Sequence, residues 1–221
     1  TSEEAFEAML AVIKETGNEG CIQLGLDIAA SEFLSDNKET YLFGDKRFSS
    51  EELREYYMHM INAYPIAYLE DPFAEDAFQE FSRLNEAVQG VEIVGDDLFA
   101  SSPQRIKESC RAKRVESTSG QIVKAPTNAI LIKLNQVGTV SEALRAVQLA
   151  REVGLHVAVS VRSQETNDDF VADFAVAVDA MYMKVGSPVR GERNAKYNRL
   201  LRIEEELGDD FLFGSSYEIN S

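Results

Sequence analysis

Six short apolar runs in this chain each end on charged or polar residues, and chemistry would sit at those ends. The first run ends at Asp27, the second at Glu70-Asp71 and the third at Asp96-Asp97. The fourth carries Lys133 and leads to Asn135-Gln136, the fifth ends in Ser160-Val161-Arg162-Ser163, and the sixth ends in Lys184. A charge at the end of a buried strand is costly unless it meets another charge or a ligand. Asp27, Glu70 and Asp96 would repel one another without a cation. Hard oxygen donors with no His or Cys among them suit Mg²⁺ better than zinc. Any one of these acids alone could equally be a loop acid or a helix cap. Three at the same point of successive runs point to a metal site. Asp71 and Asp97 read as supporting groups or helix caps.

Lys133 interrupts Ile130-Leu131-Ile132-Lys133-Leu134, and Lys184 follows Met181-Tyr182-Met183. A lysine inside such a run needs a carboxylate partner or a lowered pKa, and the second condition makes it a base. The other reading is a salt bridge to one of the acids above. Arg162 with Ser163 offers a guanidinium beside a hydroxyl, which suits a phosphate or a carboxylate. His59 lies in a helical stretch and reads as solvated or packed. His156 opens a strand, at the wrong end for chemistry. Tyr56, Tyr57, Tyr64 and Tyr68 read as core or rim, and Glu204-Glu205-Glu206 as a solvated helix face.

The elements that must position these residues alternate. Runs rich in β-branched residues predict strands at Ile22–Ile28, Ile66–Leu69, Val91–Val94, Ala129–Leu134, His156–Val161 and Ala180–Val185, with a shorter one at Phe211–Phe213. Amphipathic stretches predict helices at Ser2–Glu15, Ser49–Ala63, Ala74–Val88, Pro103–Lys113, Val140–Val153, Asp168–Val178 and Glu192–Leu207. Ser49 with Glu52, and Thr139 with Glu142, supply capping chemistry. Gly17, Gly154 and Gly208 close helices. Six βα units in sequence mean parallel strands with right-handed crossovers. An open doubly wound sheet and a (β/α) barrel both fit. The turn after the first strand, Asp27-Ile28-Ala29-Ala30-Ser31-Glu32, has no glycine, which weakens a dinucleotide-binding reading. Charges at every strand end favour the barrel, whose strand ends converge on one face. Asp36–Phe48 predicts an excursion with a small hairpin around Gly44. Arg114–Asn128 reads as an insertion or surface contact on the face opposite the chemistry.

Composition narrows the function classes. The 221 residues hold 22 Lys plus Arg against 38 Asp plus Glu, a formal net charge of −16. That balance argues against nucleic acid and against an anionic membrane surface. Hydrophobic residues make up 44% and charged residues 27%, ordinary for a globular domain with a sizeable core. Cys21 and Cys110 do not make a disulfide framework and are expected as two buried thiols in a reducing compartment. No apolar stretch is long enough to span a membrane, and no signal peptide opens the chain. It opens on Thr1, not Met, already in helix-like sequence, which suggests processing or a cut chain.

These residues together resemble the enolase family over almost the whole length. The matching stretches are Leu26-Asp27-Ile28-Ala29-Ala30-Ser31-Glu32-Phe33, Glu70-Asp71-Pro72-Phe73, Val94-Gly95-Asp96-Asp97-Leu98 and Leu131-Ile132-Lys133-Leu134-Asn135-Gln136-Val137-Gly138. Arg162-Ser163-Gln164-Glu165-Thr166 and the block from Glu192 to Gly208 complete them. The closing block and the lysine context resemble enolase proper, not its racemase and lactonizing relatives. The resemblance implies an α/β fold: the (βα)₆ C-terminal portion of an enolase-type TIM-like barrel, one partial domain over residues 1–221. It implies Mg²⁺-dependent dehydration of 2-phosphoglycerate to phosphoenolpyruvate in glycolysis by the intact protein, a cytoplasmic homodimer. Asp27, Glu70 and Asp96 match the ligands of the tighter magnesium. Glu70 also counts among the substrate-facing groups. Lys133 matches the general base, and Lys184 the lysine facing the substrate carboxylate. Arg162 and Ser163 match the groups that hold the phosphate, with Ser163 near a second magnesium.

The sequence departs from the family at several points. Val161 stands where the family has histidine, and Gln164 where glycine is usual. The family's N-terminal α+β domain and first barrel strands are not in the 221 residues; in the family these carry the general-acid glutamate and a mobile histidine loop. The expectation is that these residues alone turn over little substrate. The reading of a different class is a non-catalytic enolase-like scaffold or interaction protein.

Overall fold

The structure is a computed structural model and describes residues 2–116 and 126–210, without the side chains of 110–116. The expected strand Phe211–Phe213 and the central part of the Arg114–Asn128 loop lie outside the described residues, as does the Cys110 side chain. The chain divides into two compact units, with the division between Ile93 and Val94.

In the first unit, α1 (Ser2–Glu15) leads to β1 (Leu24–Asp27), a 3₁₀ turn (Ala30–Phe33) and the antiparallel hairpin β2 (Tyr41–Phe43) and β3 (Lys46–Phe48). Then follow α2 (Ser50–Ala63), β4 (Ile66–Glu70) and α3 (Phe78–Ala87). The expected hairpin is therefore present. Helix α2 begins at the expected place because Ser49 and Glu52 form a complete capping box. It buries Leu53, Tyr57 and Met60, a helical stripe at spacings of four and three. It stops before Pro65, which holds Tyr64 in extended conformation. Strands β1 and β4 pair in parallel. Phe73 is the hub of the core: its ring meets those of Tyr41, Tyr57 and Phe81. Each such buried ring contributes about 1.5–3 kcal/mol through lost water contact. Helix α3 starts later than the expected Ala74, because Ala74–Ala77 closes as a separate turn (Ala77 N–H to the Ala74 carbonyl, 2.9 Å).

The chain passes into the second unit through β5 (Glu92–Gly95). It continues with α4 (Pro103–Glu116), β6 (Ala129–Lys133), the one-turn α5 (Leu134–Val137) and α6 (Val140–Glu152). Strand β7 (His156–Ser160), α7 (Phe170–Ala177), β8 (Tyr182–Lys184) and α8 (Gly191–Leu207) follow. Strands β5 to β8 pair successively and in parallel. Ala129 to Ile132 are all fully buried, as a strand covered on both faces requires. Helix α6 buries the stripe Ala143, Ala146, Val147 and Ala150, whose small side chains allow close packing. Helix α4 takes in Arg114 to Glu116, so the sequence reading began the following loop three residues early.

One expectation about the thiols is corrected. Cys21 is exposed, not buried. It sits in the polar turn after α1, where its N–H bonds the Asn18 carbonyl and no apolar stripe draws it inward.

Candidate functional site

In the first unit, the two expected ligands end adjacent parallel strands in matching register, with Asp27 opposite Glu70. The backbone beyond them is tied together: Ile28 N–H donates to the Glu70 carbonyl (3.0 Å) and Ala30 N–H to that of Asp71 (3.1 Å). Asp71 takes a left-handed φ of 42°, a conformation aspartate tolerates better than most residues. Glu70 is fully buried. Tyr68, two residues earlier and so on the same strand face, donates its hydroxyl to Glu70 Oε2 at 2.6 Å. Asp27 Oδ1 accepts from Ala29 N–H at 3.2 Å. The Tyr68 hydroxyl and the Ala29 amide are uncharged donors.

In the second unit, one row of register crosses three strands: Lys133 pairs with Ser160, and Ser160 with Lys184. The two lysines and a serine therefore lie side by side at the C-terminal ends of β6, β7 and β8. Asp96, 7% exposed, follows β5 and forms an ion pair with the Lys133 ammonium. Burial pushes the Asp96 carboxyl up, the Lys133 ammonium pulls it back, Asp97 adds to the rise and Lys184 opposes it; the net shift is upward. The turn that places Asp96 needs Gly95, because a Cβ there would come within 2.8 Å of the Phe99 ring. The same turn carries Ser101, buried and with left-handed φ. Its hydroxyl accepts from Lys133 N–H (2.9 Å) and donates to Gln136 Oε1 (2.5 Å). Ser160 Oγ donates to the Lys184 carbonyl at 2.8 Å.

Arg162 and Ser163 lie just beyond β7, both exposed. Arg162 N–H donates to Asn135 Oδ1 at 3.1 Å, which ties this loop to α5, just beyond β6. Val161 is half-buried. His156 opens β7 and is exposed, as expected, and His59 is exposed on α2.

Within each unit, then, the structure brings together the residues singled out from sequence: Asp27 with Glu70, and Asp96 with Lys133 and the Lys184 row. For Lys133, the salt-bridge arrangement is the one its ammonium adopts. Sequence reasoning read Tyr68 as core or rim without its bond to Glu70, and missed Ser101 and the buried pair of Lys196 with Glu165. The Tyr68–Glu70 spacing of two on a strand was a readable signal. So was Lys196, which lies seven residues before Ile203, the other buried position of α8.

Successive parallel βα units with acids and lysines at the strand ends define an α/β protein of the barrel class. Comparison with known proteins gives the family. Residues 1–220 match the family described as "Enolase, C-terminal TIM barrel domain". The enolase of Methanosarcina barkeri is 44% identical over 209 residues, covering 94% of this chain and 46% of that protein. The enolase of Methanothrix thermoacetophila is 45% identical over 205 residues, 93% of this chain and 46% of its own length. That of Methanococcus vannielii is 39% identical over 219 residues, 99% and 49% respectively. The chain belongs to the enolase family, and its fold is that of the family's C-terminal TIM barrel domain. It spans about half the length of the curated relatives it matches.

Proposed function

We propose that the whole protein containing this chain dehydrates 2-phosphoglycerate to phosphoenolpyruvate, with residues 1–221 as part of one barrel domain. The observation that carries the reading is the row Lys133–Ser160–Lys184 with Asp96 against Lys133. Lys133 in its neutral form takes the proton α to the substrate carboxylate. The electron pair moves onto that carboxylate as an enediolate, and the proton rests on Lys133 as the ammonium that Asp96 holds. Lys184 faces the carboxylate where the charge develops, a preplaced cation of the kind such anionic intermediates require. Arg162 and Ser163 hold the phosphate, with the guanidinium as the planar donor. Departure of the β-hydroxide completes the elimination, with its proton supplied by an acid outside the residues assigned here.

Asp27, Glu70 and Asp96 would hold Mg²⁺. The donor set fits: all oxygen, with Asp27 and Glu70 at matched ends of paired strands. When bound, magnesium supplies positive charge to the carboxylate on which the enediolate forms. No described helix is long and apolar enough to cross a membrane. A cytoplasmic homodimer belongs to the same proposal.

Val161 favours a second reading, a non-catalytic enolase-like scaffold, because valine neither donates a hydrogen bond nor carries charge. The test is phosphoenolpyruvate formation at saturating Mg²⁺ by the whole protein and by residues 1–221 alone. Turnover by the whole protein with little by the 221 residues is expected. Inactivity of both would favour the scaffold, and Val161→His in the whole protein would then ask whether that position is responsible.

A further inference from the structure

Lys196, the sixth residue of α8, is 1% exposed. It forms an ion pair with the Glu165 carboxylate and donates to the carbonyls of Thr166 (2.6 Å) and Glu192 (2.7 Å). Two of the ammonium's three donors go to those carbonyls, and the Glu165 carboxylate balances its charge. A buried lysine without such partners would be strongly disfavoured.

Two of those partners, Glu165 and Thr166, lie in the loop that carries Arg162 and Ser163. That loop is fixed at its entry by Arg162 N–H on Asn135 and at its exit by Lys196. Between the two anchors Gln164 takes a left-handed φ of 65°, which turns the chain back on itself. Thr166 Oγ1 then accepts from Asp168 N–H at 3.2 Å, setting the approach to α7. The next residue of α8, Tyr197, donates its hydroxyl to the Gly186 carbonyl at 2.5 Å, two residues beyond Lys184. Gly186 has φ of 70°, and the Arg193 side chain of α8 lies over it, with Nε 2.8 Å from where a Cβ would stand. Consecutive residues of one helix thus grip the loop beyond Ser163 and the loop beyond Lys184.

We propose that Lys196 is a positioning residue. By pinning Glu165 and Thr166 to α8, it sets where the Arg162 guanidinium and the Ser163 hydroxyl stand for a phosphorylated substrate. Its effect on substrate rests on the function proposed above; the tether itself does not.

The experiment uses the whole protein, with Lys196→Met and with the charge-balanced Lys196→Met/Glu165→Gln. The single variant strands a buried carboxylate and can fail to fold, whereas the double variant removes both charges. Two measurements are made. Native-state trypsin cleavage at the exposed Arg162–Ser163 bond is compared with cleavage at the exposed Arg145 on α6. KM and kcat for 2-phosphoglycerate are measured alongside Mg²⁺ affinity. Release of the tether is expected to raise the Arg162-to-Arg145 cleavage ratio about tenfold, since cleavage follows the population of the open loop. KM should rise about tenfold as the phosphate grip is lost, with Mg²⁺ affinity unchanged. Faster cleavage at Arg162 with no turnover by wild type would uphold the tether and overturn the enolase reading. An unchanged cleavage ratio in the double variant would overturn the proposal, whether or not wild type is active. So would a uniform rise at both bonds, which marks general destabilisation.

Discussion

The two units support their candidate site residues by different means. In the first, carboxylates are held by neutral donors: the Tyr68 hydroxyl on Glu70 and a backbone amide on Asp27. The scaffold beneath is a chain of rings running from Phe33 through Phe43, Phe48, Tyr56, Tyr57 and Phe73 to Phe81. In the second, ion pairs do this work. Lys133 meets Asp96, Lys196 meets Glu165, and Arg199 on α8 grips Asp173 on α7. Neutral donors orient a carboxylate and leave its charge in place, which suits groups proposed to bind Mg²⁺. Ion pairs suit the places where a cationic side chain must be buried and kept in position. Each device has its own weakness: a ring scaffold fails by cavity formation, an ion pair by loss of one partner.

The largest expected effect lies in the second unit. Lys133→Met should lower kcat of the whole protein by a factor of about 100 to 10,000, the usual range for a positioned general base. Steady-state assay with a circular-dichroism check on folding measures it. Wild-type kcat in the variant would break the assignment of chemistry to this side of the comparison.

In the first unit, Phe73→Ala should cost about 3–5 kcal/mol, the usual range for removing a large buried ring. Phe73 is only 1% exposed and meets three other rings. Urea unfolding followed by tyrosine fluorescence reads the loss. A cost below about 1 kcal/mol, far under that range, would mean the ring chain is not the main support.

A smaller effect concerns pH. Burial, aided by its hydrogen bond to Glu3, pushes the Tyr56 phenol up to about 12. Its unfolded counterpart titrates near 10. The neutral phenol therefore contributes its full stability below about pH 10, and that contribution is lost as pH rises through the folded value of about 12. NMR of the tyrosine ring carbons should show Tyr56 ionising after exposed tyrosines, and Glu3→Gln should bring its titration down. Ionisation of Tyr56 near the ordinary value would remove this contact from the first unit's supports.

Smallest is Ser49→Ala, which removes the capping box of α2 and should cost about 1 kcal/mol. Thermal unfolding measures it. The variant sharpens the comparison, since a helix cap in the first unit should leave the kinetics of the Lys133 row untouched.

Much of this was legible in local sequence. The strands at Ile66, Ala129 and His156 begin where expected, because continuous β-branched runs mark buried parallel strands. Helix α1 matches its expected bounds, and Ser49 with Glu52 and Thr139 with Glu142 announce their helices. Asp27, Glu70, Lys133 and Lys184 could be placed at strand ends because the residue type changes abruptly there. Less was legible at Ala74 and Asp168, where short segments with no break in the sequence pattern precede the helices at Phe78 and Phe170.

The sequence by itself determined the order of elements, their apolar faces and the set of charged residues at the strand ends. Those features depend on periods of two and of three to four residues, which any short window contains. Only the tertiary structure decided which charges meet. Lys133 ends β6 and Asp96 follows β5, and Lys196 and Glu165 lie on a helix and a distant loop. Such pairs form because packing removes water from both partners at once, leaving each the other's best substitute. No local pattern encodes that choice: register aligns Lys133, Ser160 and Lys184, and helix packing brings α8 over the loop it holds.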